Sequence, residues 1–164
     1  ATILKSLHNL PRLASIDLRG CYAEDRGLTD VISLMWASTS LTKLDVADNK
    51  IGDAFLRKLV AKYHGGGGTL AGESSKVDPP RELLLKTFGF AKNQCGPVGA
   101  ASLAQLIRSC GGYRIERLDL SWNQVRATGA TLLCKAIIEV KPVSHLSFLN
   151  LSFNGLDDDG NDFS

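Results

Sequence analysis

A short alternation of apolar and polar residues returns five times along this chain. Residues 118–123 read L-D-L-S-W-N and residues 149–154 read L-N-L-S-F-N, and the stretches 16–21, 44–49 and 88–93 carry the same pattern. We number each unit from the last residue of its stretch, which is Cys21, Asn49, Asn93, Asn123 or Asn154. Positions −5 and −3 are apolar in every unit, whereas −4 and −2 are small or polar. This two-residue period predicts a short strand that is buried on one face.

The period becomes helical after each reference residue. Positions +10 and +14 are apolar in the first four units, where they read Val31/Met35, Leu59/Tyr63, Leu103/Ile107 and Leu133/Ile137. Residues four apart share one face of a helix. Glycine stands at +6 in four of the five units, and we expect the helix to start there. The reference residues are 28, 44, 30 and 31 positions apart, and a repeat of this length predicts a solenoid of stacked strand-helix units.

The pattern L-x-x-L-x-L-x-x-N-x-L, followed by a helix, resembles a leucine-rich repeat of the ribonuclease-inhibitor-like subfamily. Two positions depart from it, since Cys21 replaces the asparagine of the first unit and Phe55 replaces the glycine of the second. The resemblance implies an α/β leucine-rich-repeat solenoid, or horseshoe. Its curved parallel sheet would form the concave side and its helices the convex side.

Residues 1–164 are predicted to be one segment of such a solenoid, with about five strand units. The second unit is about 16 residues longer than the ~28-residue period. Its extra stretch, 64–82, is rich in Gly, Ser and Pro, which predicts a flexible insertion at the surface. Neither end shows a polar capping unit, and Ile3 and Leu7 fit the helix of a unit whose strand would lie upstream. We therefore expect a fragment of a longer solenoid.

Composition and charge narrow the class of partner. The formal net charge is +2, which is too small to indicate nucleic acid or an anionic membrane as the partner. No apolar run approaches the ~18 residues of a membrane span. The four cysteines, at positions 21, 95, 110 and 134, show no C-x-x-C spacing. We interpret them as reduced core or loop thiols of a cytoplasmic protein, with Cys21 and Cys95 pointing inward.

Short motifs that suggest chemistry do not fit their context. The string His64-Gly65-Gly66-Gly67 resembles an esterase oxyanion loop, but the chain has no G-x-S-x-G. The run Asp157-Asp158-Asp159-Gly160 is out of register for a calcium-binding loop. The sequence contains no nucleotide-binding or zinc-protease motif either. We expect no enzyme activity, no cofactor, no metal site and no small-molecule substrate.

The remaining candidate site is a surface. With −5 and −3 in the core, positions −6, −4 and −2 should form the opposite sheet face, one row per unit, which we call the concave face. Position −4 is mostly acidic, so a basic or polar protein partner would fit. The candidate partner-binding residues are Asp17, Arg19, Asp45, Asp119, Ser121, Trp122, Asn150 and Phe153. Two interpretations of the aromatic residues at −1 remain open: Trp122 and Phe153 stack on each other, or they contact the partner.

The sequence thus favours a non-enzymatic protein–protein interaction module, a scaffold segment of a larger protein or assembly. Ran GTPase-activating proteins share this repeat type, so a regulator of a small GTPase is one alternative. A structural subunit of a cytoskeletal or ciliary complex is another. The partner's identity stays open, as does the choice between the concave face, the convex face and the 64–82 stretch as binding surface.

Overall fold

The computed structural model describes residues 10–25, 27–63, 83–109, 114–140 and 144–157. They form an α/β leucine-rich-repeat solenoid, as the sequence predicts. The strands are β1 (Ser15–Asp17), β2 (Lys43–Asp45), β3 (Thr87–Gly89), β4 (Arg117–Asp119) and β5 (Phe148–Asn150). The helices are α1 (Thr29–Ala37), α2 (Asp53–Tyr63), α3 (Pro97–Arg108) and α4 (Arg126–Glu139). The predicted flexible insertion, 64–82, lies outside the described residues.

The five strands form one parallel sheet in chain order. Its register never slips, because the residue at −5 of each unit pairs with the residue at −5 of the next, in the series Ile16, Leu44, Phe88, Leu118 and Leu149. Equivalent residues of successive units therefore lie side by side, about 4.8 Å apart, which is the spacing of neighbouring strands. A feature that recurs in the sequence becomes a continuous row across the sheet.

The predicted core faces are confirmed. Leu44, Val46, Leu118 and Leu120, at −5 and −3, are fully buried. Leu149 and Leu151 of the last unit are only partly buried and pack at the border of the same core. Since each unit covers its neighbour, a unit with one neighbour among the described residues has a less complete core.

The helix starts differ from the expectation that glycine opens each helix. Gly99 and Gly129 lie inside the first turn of α3 and α4, and both are buried. A Cβ atom at Gly99 would collide with Asp53 Oδ1 and would lie 2.9 Å from Leu56 Cδ1. The glycine thus serves close packing of neighbouring helices. Phe55, at the same position of α2, instead fills the interior, with its ring centroid 5.9 Å from that of Phe90.

The reference asparagines Asn49, Asn93, Asn123 and Asn154 form a buried chain of hydrogen bonds between units, which we call the asparagine ladder. In the fourth unit, Asn123 Nδ2 donates to the carbonyl of Leu120 at 3.0 Å and to that of Phe90, one unit earlier, at 2.9 Å. Its Oδ1 accepts the backbone N–H of Cys95 at 2.9 Å. The other three asparagines repeat these contacts in their own units. One side chain thus satisfies buried backbone groups of two units.

The expectation that Cys21 points inward is wrong. Cys21 is exposed, and its Sγ reaches only the carbonyl of Arg19, at 3.9 Å. No unit precedes Cys21 among the described residues, so its side chain has no earlier turn to bond, and a thiol is a weak donor. Cys95 is buried as expected, and burial, followed by the charge of Asp53, raises the pKa of its thiol to about 12. Cys134 is a free thiol on the exposed side of α4.

In the part of the chain that the structure describes, no helix has the length and apolar character needed to cross a membrane.

Replacing Asn123 by Ala should reduce the free energy of unfolding by about 2 to 4 kcal/mol, because it leaves the buried N–H of Cys95 without its acceptor and removes one of the two donors to the carbonyl of Phe90. Urea denaturation followed by circular dichroism measures this. Cys21→Ala is the matched control at the equivalent position, and it should change stability by less than about 0.5 kcal/mol. Equal losses for the two variants would contradict a bonding role that is specific to asparagine.

Candidate protein-binding surface

The Asp and Asn side chains at position −4 of the concave face accept hydrogen bonds from the backbone just after their own strands. Asp17, Asp45, Asp119 and Asn150, at −4, each use Oδ1 to accept the backbone N–H two residues later, at 3.0 to 3.1 Å. This is the local side-chain-to-backbone bond that Asp and Asn commonly make in turns. The sequence reasoning treated these side chains only as contacts for a partner and missed this role.

Position 89 carries the one glycine at −4. A Cβ atom on Gly89 would lie 2.6 Å from Asp45 Oδ1, because the Asp45 side chain extends over this backbone. Asp45 therefore fills the space that a third acidic side chain would occupy, and the acidic row is interrupted in the middle of the sheet.

Arg19 balances much of the acidic charge in the first two units. Its Nη2 lies 2.6 Å from Asp17 Oδ2, and its Nε lies 3.7 Å from Asp45 Oδ2. The hydrogen bond from the Arg19 side chain is the main reason that the pKa of Asp17 falls to about 2. The pair is largely exposed, so it contributes little to stability. Three of the candidate residues are thus already engaged with one another.

Asp119 and Ser121 form a second small cluster, in the fourth unit. Ser121 is buried, and both its backbone N–H and its Oγ donate to Asp119 Oδ1, at 3.0 and 2.8 Å. On the same sheet face the guanidinium carbon of Arg117 lies 4.0 Å from the ring centroid of Phe148, in cation–π geometry. Sequence reasoning missed this last contact, although both residues stand at −6 of adjacent units.

Trp122 and Phe153 stack at the strand exits of the last two units. Their ring centroids are 4.0 Å apart and the ring planes differ by 19°. The stacking interpretation is therefore confirmed. The rings nevertheless remain 54% and 65% exposed, respectively, so stacking leaves much of their surface open to solvent. The contact of these rings with a partner stays a prediction.

Position −1 adopts the left-handed conformation in all five units. The residues are Gly20, Asp48, Lys92, Trp122 and Phe153, with φ between 52° and 63°, and we call them the rim row. The N–H groups of its first four members donate to the carbonyl at −2 of the next unit, at 2.9 to 3.0 Å, so the five residues lie side by side. Gly20 and Asp48 are residue types that tolerate positive φ, and this was the available sequence signal.

The rim row places bulky residues where the backbone disfavours them. A left-handed conformation costs an L-residue roughly 1 to 2 kcal/mol, which glycine avoids. Trp122 and Phe153 occupy such positions and remain more than half exposed, so burial does not explain their presence. The left-handed conformation recurs in every unit and so belongs to the repeat itself, whereas the exposed aromatic side chains are particular to the last two units.

A family model described as Leucine Rich repeat matches residues 37–59, 115–134 and 144–160. The matched residues contain three of the reference asparagines, namely Asn49, Asn123 and Asn154, and the strands β2, β4 and β5. The chain therefore contains leucine-rich repeats.

Two solved structures share this leucine-rich-repeat fold. "Leiomodin-1 Actin-Binding Site 2 (ABS2)" is 10% identical, with a TM-score of 0.65, over 92% of this chain and 77% of that chain. The tropomodulin C-terminal domain of Caenorhabditis elegans is 15% identical, with a TM-score of 0.61, over 94% of this chain and 85% of that chain. At these identities the likeness shows the fold alone. A search of curated protein sequences found no match.

An apolar cleft of about 340 Å³ lies between α4 and β5 of the repeat array. It is lined mainly by Cys134, Ile137, Ile138, Leu146, Phe148 and Leu149. Ile138 is 69% exposed. In the described part of the chain no group of three or more His, Cys, Asp or Glu side chains is arranged to hold a metal ion.

Replacing Arg19 by Gln should raise the pKa of Asp17 from about 2 towards the usual aspartate value of 3.8, because the main hydrogen bond to the carboxylate is lost. Carboxyl-carbon NMR titration measures this directly. Since the folded-state pKa is the lower one, the pair's contribution to stability is complete above pH 3.8 and disappears as the pH falls through about 2. Arg12→Gln, outside this cluster, should leave the titration unchanged. An unaltered midpoint in Arg19→Gln would show that the pair does not form in solution.

Proposed function

We propose that this leucine-rich-repeat array is a non-enzymatic protein–protein interaction module, a segment of a larger scaffold. The observation that carries the proposal is the exposed Trp122–Phe153 stack, held at left-handed positions of the rim row. Aromatic residues in a rigid setting are the commonest anchors of protein interfaces. Rigid presentation also lowers the entropy lost on binding.

The other candidate residues support one continuous surface. Asp119 and Ser121 belong to the same unit as Trp122, and Asn150 lies beside Asp119 in the next strand. The Asp17–Arg19–Asp45 cluster lies two to three strand separations from Asp119, or roughly 10 to 15 Å. That distance falls within one standard protein interface. We propose the aromatic pair as the anchor of this surface and the polar clusters as its surroundings.

A photo-crosslinking amino acid introduced in the full-length protein tests this surface. Placed at position 122 or 153, it should capture the same protein in cells; placed at Leu132, which is exposed on α4, it should not. The captured partner should lose about 2 kcal/mol of affinity or more, roughly 30-fold, on Trp122→Asn. Asparagine tolerates the left-handed backbone, so this variant removes the ring without adding strain. Capture from Leu132 alone would move the binding surface to the convex side.

A second candidate is docking to the actin cytoskeleton. It is supported by the two solved structures, whose names are those of an actin-binding site of leiomodin-1 and a tropomodulin domain. If it holds, the protein should co-sediment with actin filaments or co-elute with actin monomers, and Trp122→Asn should weaken this binding by about 10-fold or more. No binding to either form of actin, with a correctly folded protein, would remove this candidate.

We also propose a repeat subfamily and a cellular location. The unit spacing of 28, 30 and 31 residues supports the ribonuclease-inhibitor-like subfamily. The unpaired state of Cys21, Cys95 and Cys134 supports a reducing, cytoplasmic location. The small-GTPase alternative gains no support from any contact among the described residues.

A further inference from the structure

The rim row has a definite order of chemistry across the sheet. From the second unit to the fifth it reads acid, base, aromatic, aromatic, in Asp48, Lys92, Trp122 and Phe153. All four side chains are exposed. Within the described residues, neither Asp48 nor Lys92 forms an ion pair. Two opposite charges are therefore available beside the aromatic pair, in a fixed sequence.

The spacing of the row selects the shape of a partner that contacts all four members. Three strand separations span about 14 Å at about 4.8 Å each. Three turns of an α-helix cover about 16 Å, at 5.4 Å per turn. Alternate residues of an extended strand, about 6.7 Å apart, would cover about 20 Å in three steps. A helix stays within about 2 Å of register over the row, whereas a strand loses register by nearly one step.

We propose that the rim row binds an amphipathic α-helix of a protein partner, lying across the strand exits, an inference that rests on the proposed interaction function. One face of this helix carries two apolar residues opposite Phe153 and Trp122, then an acid opposite Lys92, then a base opposite Asp48. The contacts lie one helical turn apart, at positions i, i+4, i+7 and i+11. The aromatic stack supplies the anchor, and the two charges fix the direction in which the helix lies.

The order of charges gives the sharpest test. A library of displayed peptides with a neutral helical frame, randomised at i, i+4, i+7 and i+11, is selected against the protein. A second library, with the randomised positions in an unstructured frame, is selected in parallel. For the parent protein, the helical library should yield peptides with the apolar-apolar-acid-base order. For the double variant Asp48→Lys/Lys92→Asp, which keeps the net charge, the acid and the base should exchange places.

Affinities of the best parent peptide give a second readout. We expect at least a 10-fold loss for the double variant and for Trp122→Asn. A control double variant, Lys58→Asp/Glu24→Lys, also keeps the net charge and alters exposed residues outside the rim row. It should change the affinity less than 3-fold, which is within the small effect expected of charges remote from a contact.

Different negative results would contradict different parts of the proposal. Peptides that depend on Trp122 but keep their charge order in the double variant overturn the helix orientation proposed here, and leave the interaction surface in place. Selection from the unstructured library alone overturns the helical partner. Binders that ignore both Trp122 and the charge swap overturn this inference. If crosslinking at positions 122 and 153 also captures nothing, the proposed function of the surface fails with it.

Discussion

The asparagine ladder is the constraint on which the rest of the array depends. Each strand is only three residues long, so the sheet alone provides few hydrogen bonds between neighbouring units. The buried amides extend the connection beyond the strands, because each one donates to carbonyls of its own unit and the preceding one and accepts an N–H from the preceding one. An apolar replacement could fill the volume but could not satisfy these groups. The packing of the interior thus depends on buried polar groups as much as on leucine side chains.

The same ladder creates the exposed surface. The chain bends at the residue before each reference residue, and this residue takes a left-handed φ in every unit. That residue's side chain projects outward, and the uniform register aligns it with its equivalents. The same local geometry therefore places the asparagine in the core and the side chain before it on the surface. Trp122 and Phe153 directly precede Asn123 and Asn154, so the hydrogen bonds of the asparagine ladder adjoin the backbone of the aromatic pair.

Sequence reasoning predicted the features that depend on hydrophobic period. The alternation around Leu118 and Leu120 gave the strand and its buried face, and the spacing of Leu103 and Ile107 gave the α3 helix. It did not predict that Arg19 lies between Asp17 and Asp45, or that Asp45 covers Gly89. Those contacts, within the first unit and between neighbouring units, depend on the rotamers of particular side chains, which the order of residue types does not determine. Cys21 was misplaced for a related reason, since its environment depends on an adjacent unit rather than on its own.

The separation of Asn49 from Asn93 has a practical consequence for comparing such chains. These two residues are 44 positions apart, yet Asn93 Nδ2 lies 3.0 Å from the carbonyl of Val46, much as Asn123 Nδ2 lies 2.9 Å from that of Phe90 across a gap of 30. The same hydrogen bond between units thus forms across connections of different length. Alignments of related arrays should therefore be anchored on the asparagines, with gaps opened freely between helix and strand. The same connection offers a place to insert a label or a foreign sequence without shifting the register on either side.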